Sequence, residues 1–187
     1  MTEVSESTSV RTREMVAMAK LRDLDASSVF YHQTSIEKLK DILEEGLITE
    51  SFAKKTHKDA YRREMGSSWN LDSISLTSGK VKSINAVEGV VTIIVEPLVI
   101  PGRAKGLRKP QDKVSPFDDE FLLKHRIAPR ELKGIEVYAL SDIKRVIEIV
   151  EGLGVDLALP IYFLENLVWP KKMSHEEIVK MLKERET

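Results

Sequence analysis

Two rhythms of apolar residues divide the chain into elements. Val29-Phe30-Tyr31 is a short β-branched and aromatic run, the composition of a buried strand. After the polar pair His32-Gln33, the residues Ile36, Leu39, Ile42 and Leu43 return at helical spacing, and Gly46 stands where a left-handed residue ends the helix. Thr34 and Glu37 are spaced as a capping box, the hydroxyl accepting from the Glu37 amide while the carboxylate reaches back. This reading puts His32 at the end of a strand, just before a helix N-terminus.

Further along, Ser73-Ile74-Ser75-Leu76-Thr77 alternates strictly, with Ile74 and Leu76 on one face and hydroxyls on the other. Val90 to Val95 is apolar on both faces apart from Thr92, the pattern of a central strand, and Pro97 and Pro101 end it. Residues 117–127 predict another strand in which Phe121, Leu123 and Ile127 share a face and Glu120 takes the opposite one. Ile135 to Leu140 predicts a further strand. Ser141 then caps a helix carrying Ile143, Val146, Ile147 and Val150 before Gly152. Val155 to Trp169 reads as a strand followed by a helical turn, and Ser174 with Glu177 forms a second capping box for a terminal helix reaching Arg185. An amphipathic stretch from Val10 to Leu24 predicts an N-terminal helix, and residues 1–9 are polar enough to be disordered. The order of elements argues an α+β fold with an antiparallel or mixed sheet. Three parts follow: residues 1–27 as a disordered start and helix, 28–140 as a core domain, and 141–187 as a helical extension packed on it.

Composition narrows the chemistry. The chain has 187 residues, a formal net charge of −1 and no cysteine, so thiol nucleophiles, disulfides and cysteine-bound zinc are excluded. There is no global basic excess to announce nucleic acid. No apolar run approaches the roughly 20 residues of a membrane helix, and the start carries no secretory signal, which leads to the expectation of a cytoplasmic protein. His57, His125 and His175 have no partners at ligand spacing, so no metal is expected. No Gly-rich phosphate loop precedes a helix, which excludes a nucleotide kinase or a Rossmann enzyme. The loops 54–63 and 103–113 are basic; they are either solvated or approach phosphates.

Each candidate residue admits two readings. His32 presents an imidazole to a ligand or bonds nearby backbone. Thr34 is a helix cap whatever else it does. Ser75 and Thr77 line a cleft or belong to an ordinary half-exposed strand. Glu120 is a site carboxylate or a solvated one beside Asp118 and Asp119.

Three pieces together resemble the ADP-ribosyltransferase-like family, which contains diphtheria-toxin-type, poly-ADP-ribose-polymerase-type, phage and toxin–antitoxin transferases and the RNA 2′-phosphotransferases. The first is His32-Gln33-Thr34 followed by Leu39, Ile42-Leu43 and Gly46-Leu47, similar to the family's His-x-Thr/Ser opening. The second is the Ser-rich strand 73–77. The third is Glu120 on a strand, followed by Ile127-Ala128-Pro129 and Leu132-Lys133-Gly134-Ile135-Glu136-Val137. The resemblance covers about residues 28–140.

It implies a split antiparallel or mixed β-sandwich with flanking helices and a cleft for NAD, consumed as a substrate. His32 would hydrogen-bond the adenosine ribose with Thr34 in support, Ser75 and Thr77 would line the nicotinamide side, and Glu120 would be catalytic. The implied activity is mono-ADP-ribosyl transfer to a macromolecular acceptor, protein or nucleic acid, in a toxin or phage-defence component. The chain departs from the family in two ways. The second motif lacks the tyrosine of the polymerase type, and Asp118 stands where arginine-directed enzymes carry a second Glu or Gln. The competing readings are a non-catalytic nucleotide-binding or interaction module on the same fold, and an RNA 2′-phosphotransferase-like enzyme.

Overall fold

The computed structural model describes residues 12–20, 29–49, 74–78, 88–99, 101–103, 120–171 and 173–185. The basic loop 54–63, most of 103–113 and residues 1–9 lie outside the described residues. In chain order the elements are α1 (residues 12–20), β1 (Phe30–Ser35), a 3-10 turn (Ile36–Lys38) running into α2 (Leu39–Glu45), β2 (Ile74–Thr77), β3 (Val90–Val95), β4 (Gly102–Arg103) and β5 (Glu120–Leu123). A 3-10 turn (Pro129–Glu131) then leads into β6 (Leu132–Val137), α3 (Asp142–Glu151), β7 (Ile161–Phe163), β8 (Asn166–Trp169) and α4 (His175–Arg185).

The chain is α+β. Its eight described strands form a mixed sheet in the order β4-β5-β2-β1-β3-β6-β7-β8, with only β6 and β7 parallel. The hydrogen-bonded ladder is therefore continuous where two sheets were expected. Among the described residues it has one weak seam: β1 pairs with β3 over Phe30 to Ser35, but with β2 at Tyr31↔Thr77 alone. The segment after residue 140, expected as a helical extension with one strand followed by a helical turn, supplies two strands at one end of the sheet, with β7 pairing with β6 across the α3 crossover.

One face of the sheet is aliphatic and carries the core. Val91, Ile93 and Val95 from β3, Ile135 and Val137 from β6, and Ile161 and Phe163 from β7 join the central cluster. Every described helix contributes to that same cluster: Ala17 from α1, Leu39 and Leu43 from α2, Ile143, Val146 and Val150 from α3, and Ile178 from α4. At about 25 cal/mol per Å² of buried apolar surface, these side chains supply most of the drive to fold.

Polar side chains fix the connections. Buried Glu131 takes the Leu98 amide at 2.8 Å on Oε1 and the Ala128 amide at 2.6 Å on Oε2, tying the β3–β4 loop to the entry of β6. Buried Asp142 accepts the Gly89 amide at 2.7 Å, and that bond, rather than a Ser141 cap, anchors the start of α3; the Ser141 hydroxyl donates to Glu88 instead. The Ser174–Glu177 capping box forms in both directions, at 2.7 and 3.2 Å. Arg13 and Lys20 tie α1 down by donating to the carbonyls of Leu153 and Asp156, both at 2.9 Å.

The β7–β8 hairpin turns on Leu164 and Glu165, both with positive φ (46° and 73°), the type I′ geometry that favours Asn-Gly. The Asn166 side-chain amide, donating to the Leu164 carbonyl at 2.9 Å, holds the turn. Replacing Leu164 with Asn and Glu165 with Gly is expected to raise stability by about 1 kcal/mol, read as a higher urea midpoint at unchanged slope.

Candidate functional site

β1 runs further than its composition suggested, because the six-residue pairing with β3 holds it extended to Ser35. His32 therefore sits in the middle of a strand rather than at its end. Thr34 is still in the strand, so it does not cap the helix. Ser35 precedes the 3-10 turn, with no side-chain cap bond. This corrects the capping role expected of Thr34.

Residues directly opposite across a sheet share a face. His32 lies opposite Ile93, itself opposite Ile135 and then Ile161, and Thr34 lies opposite Val91. Both belong to the helix-packed face. On the other face, Glu120 is opposite Thr77 and Thr77 is opposite Tyr31, giving one row across β5, β2 and β1. Ser75, opposite Leu122, is on that face too. The structure thus brings Ser75, Thr77 and the Glu120 backbone position together, with His32 and Thr34 on the reverse of the seam.

His32 nevertheless reaches across. Its Nδ1 lies 2.9 Å from the Ser75 carbonyl oxygen, bridging β1 and β2 where ladder pairing has ceased. A carbonyl only accepts, so Nδ1 carries the proton and the neutral ring keeps its lone pair on Nε2. Burial pushes the imidazole below its ordinary 6.5; the Ser75 bond opposes this and the positive charge of Lys38 adds to it. A second bond at the seam runs from the Thr77 hydroxyl to the Tyr31 carbonyl, 3.4 Å.

The depressed value has a definite sign. The stability that neutral His32 contributes is fully present above pH 6.5 and is lost as pH falls through the lowered folded value. Titrating unfolding free energy from pH 7 to 4 is expected to show this acid-side loss, and His32→Gln is expected to remove its share. Nitrogen NMR of the same samples should report the Nδ1–H tautomer.

Sequence reading missed the polar cluster further along the face that carries Thr77. Gln33, Thr92, Glu136 and Tyr162 form one cross-strand row over β1, β3, β6 and β7. The Tyr138 hydroxyl donates to Thr92 Oγ1 at 2.7 Å, and Glu136 Oε1 accepts the Glu165 amide at 3.2 Å. Thr92, Glu136 and Tyr138 are buried. Burial pushes the Tyr138 phenol up to about 12, with Glu136 and Tyr31 adding to the rise against the Thr92 bond. Tyr162 is raised for the same reason. The alternation of Ile135-Glu136-Val137-Tyr138 carried the signal: Glu136 and Tyr138 must face away from the aliphatic side.

The chain matches no family model, no curated protein and no solved structure. Its chemistry rests on its own geometry. Among the described residues no group of His, Asp and Glu gathers to hold a metal ion, and no described helix is long and apolar enough to cross a membrane.

Proposed function

We propose that this chain is an NAD-dependent mono-ADP-ribosyltransferase, built on an ADP-ribosyltransferase-like version of its α+β fold, that transfers ADP-ribose to a macromolecular acceptor. The observation that carries the reading is the seam. Among the described residues the ladder thins between β1 and β2, where the His32 ring bonds the Ser75 carbonyl from one face, and Ser75, Thr77 and the Glu120 position share the other. NAD binds at this seam. The Ser75 and Thr77 hydroxyls bond its nicotinamide side, and His32, on the reverse face, holds β2 in place behind them through its bond to the Ser75 carbonyl.

In the reaction the bond between the nicotinamide nitrogen and ribose C1′ breaks, and its electron pair leaves with nicotinamide. Positive charge develops on the ribose ring. The Glu120 carboxylate stabilises that charge more than it stabilises the bound substrate, which is what lowers a barrier. An acceptor nucleophile then bonds to C1′ from the opposite side and gives up its proton. A cytoplasmic toxin or phage-defence role suits this activity.

The bond that ties His32 to Ser75 favours a second reading, a binding module that keeps the fold without turnover. One experiment separates them: nicotinamide release from NAD by the purified chain, beside Glu120→Gln and His32→Ala, with calorimetry on the same samples. Release lost in both variants supports the transferase. Binding that depends on His32 without release supports the module. Absence of both defeats either reading.

A further inference from the structure

The docking of α1 decides where the amine of Lys20 lies. Ala17 is buried in the central cluster, and Arg13, one turn earlier, donates to the Leu153 carbonyl. With the helix held at those two points, the half-buried Lys20 side chain reaches the short 3-10 turn Val155–Leu157 that follows α3. Its Nζ donates to the Asp156 carbonyl at 2.9 Å. That partner is a neutral oxygen, while the Asp156 residue itself is exposed to water. The other carboxylate of the cluster, Glu96 at the end of β3, is taken by Lys133 of β6 at 3.2 Å, the two side chains being 24% and 18% exposed. The Lys133 ammonium is close enough to repel that of Lys20. Two amines from different elements thus share one patch, and only Lys133 is paired to a carboxylate there.

We propose that Lys20 is a covalent modification site, an amine nucleophile that takes the acyl group of small thioesters and acyl phosphates. The Nζ lone pair bonds to the acyl carbonyl carbon. The bond from that carbon to sulfur, or to the phosphate oxygen, breaks, and the thiolate or phosphate leaves with the electron pair. The nitrogen then gives a proton to water, and an amide remains.

Such an attack needs the neutral amine, which removal from water and a neighbouring cation both favour. Both operate at this position. Burial lowers the Lys20 amine from 10.5 to about 8, the Lys133 charge adds to the fall, and Asp156 opposes them with the smallest effect. A carboxylate bonded to Nζ would hold its proton on, whereas the Asp156 carbonyl orients the nitrogen with less pull. The bond lies at the surface, so the amine stays within reach of a small donor. Acylation replaces a charged donor by a single neutral N–H, which weakens the tie between α1 and the turn after α3.

The test is acetylation of the purified chain by acetyl phosphate, with an acetyl thioester in a second arm, read lysine by lysine by peptide mass spectrometry. At about pH 7, Lys20 is expected to react roughly tenfold faster than Lys144, whose side chain is 88% exposed. The advantage should vanish at about pH 11, where exposed lysines are largely neutral as well. Lys133→Gln removes the neighbouring cation and releases the Glu96 carboxylate, so it should cut the ratio severalfold at about pH 7. The pH profile of the wild type tests the same point without any substitution. Lys20 reacting no faster than Lys144, a ratio that does not fall at high pH, or one indifferent to Lys133→Gln would overturn the proposal. NAD takes no part in the measurement, so its outcome leaves the reading of the seam as it stands.

Discussion

Glu120→Gln is expected to lower nicotinamide release by about 10²- to 10³-fold while NAD binding stays within roughly threefold, an effect of about 3–4 kcal/mol on the barrier alone. The two side chains have the same shape, so the exchange removes charge and little else. The backbone of Glu120 pairs with Thr77, and that ladder position survives any side chain. The measurement is a side-by-side one: nicotinamide appearance under saturating NAD, and a calorimetric titration of each protein. A solvated carboxylate at a strand end would give turnover unchanged within error. Loss of binding together with turnover would make the residue a support for the β5–β2 edge instead. Glu120→Asp adds a gradation: it keeps the charge but withdraws it by one methylene, so it should lie between the two. A positioned charge is sensitive to such a shift, whereas a merely solvated one is not.

What the sequence disclosed depended on how local each signal was. β3 was legible because Val90 to Val95 is apolar on both faces, and a strand with neighbours on both sides must be so. The Ser174–Glu177 capping box was legible because it is exposed and close to the chain end, where nothing competes for its groups. The same pattern at Thr34 and Glu37 failed for a physical reason. Six residues of β1 are held against β3, and that non-local ladder extends the strand through Thr34 before any helix begins. The same ladder moved His32 from a strand end to mid-strand. Alternation placed Glu120 and the hydroxyls of Ser75 and Thr77 on one face, but the register Thr77↔Glu120 that aligns them depends on residues far apart in sequence. Glu136 and Tyr138 were overlooked although their alternation was visible, because the partners that give the cluster meaning, Thr92 and Tyr162, come from other strands. The hairpin of β7 and β8 was hidden by its turn, since Leu164-Glu165 lacks the residues that normally announce one.

Gly46→Ala is expected to cost about 3–5 kcal/mol, more than the same change at any other described glycine. Gly46 ends α2 with φ 84° and ψ −177°, which is not the left-handed helical cap that its position suggested but an extended conformation with positive φ, open essentially to glycine alone. Its amide still caps the helix by donating to the Ile42 carbonyl at 2.8 Å. A Cβ here would drive into the Ile127 carbonyl oxygen and come within 3.2 Å of the Ala128 Cα. Those are backbone atoms and cannot swing aside. They are also fixed from both directions, since Leu47 and Ile127 exchange two amide bonds of 2.9 Å and the Arg126 guanidinium donates to the Glu45 carbonyl. Gly89→Ala separates strain from collision. Gly89 has nearly the same φ, 81°, but open space around it, so its replacement should cost only about 1–2 kcal/mol. In a chain of 187 residues the excess for Gly46→Ala corresponds to a melting temperature lower by roughly 5–10 °C. Equal shifts for the two variants would mean that the Leu47–Ile127 contact yields. That contact is where the end of α2 fixes the connection between β5 and β6.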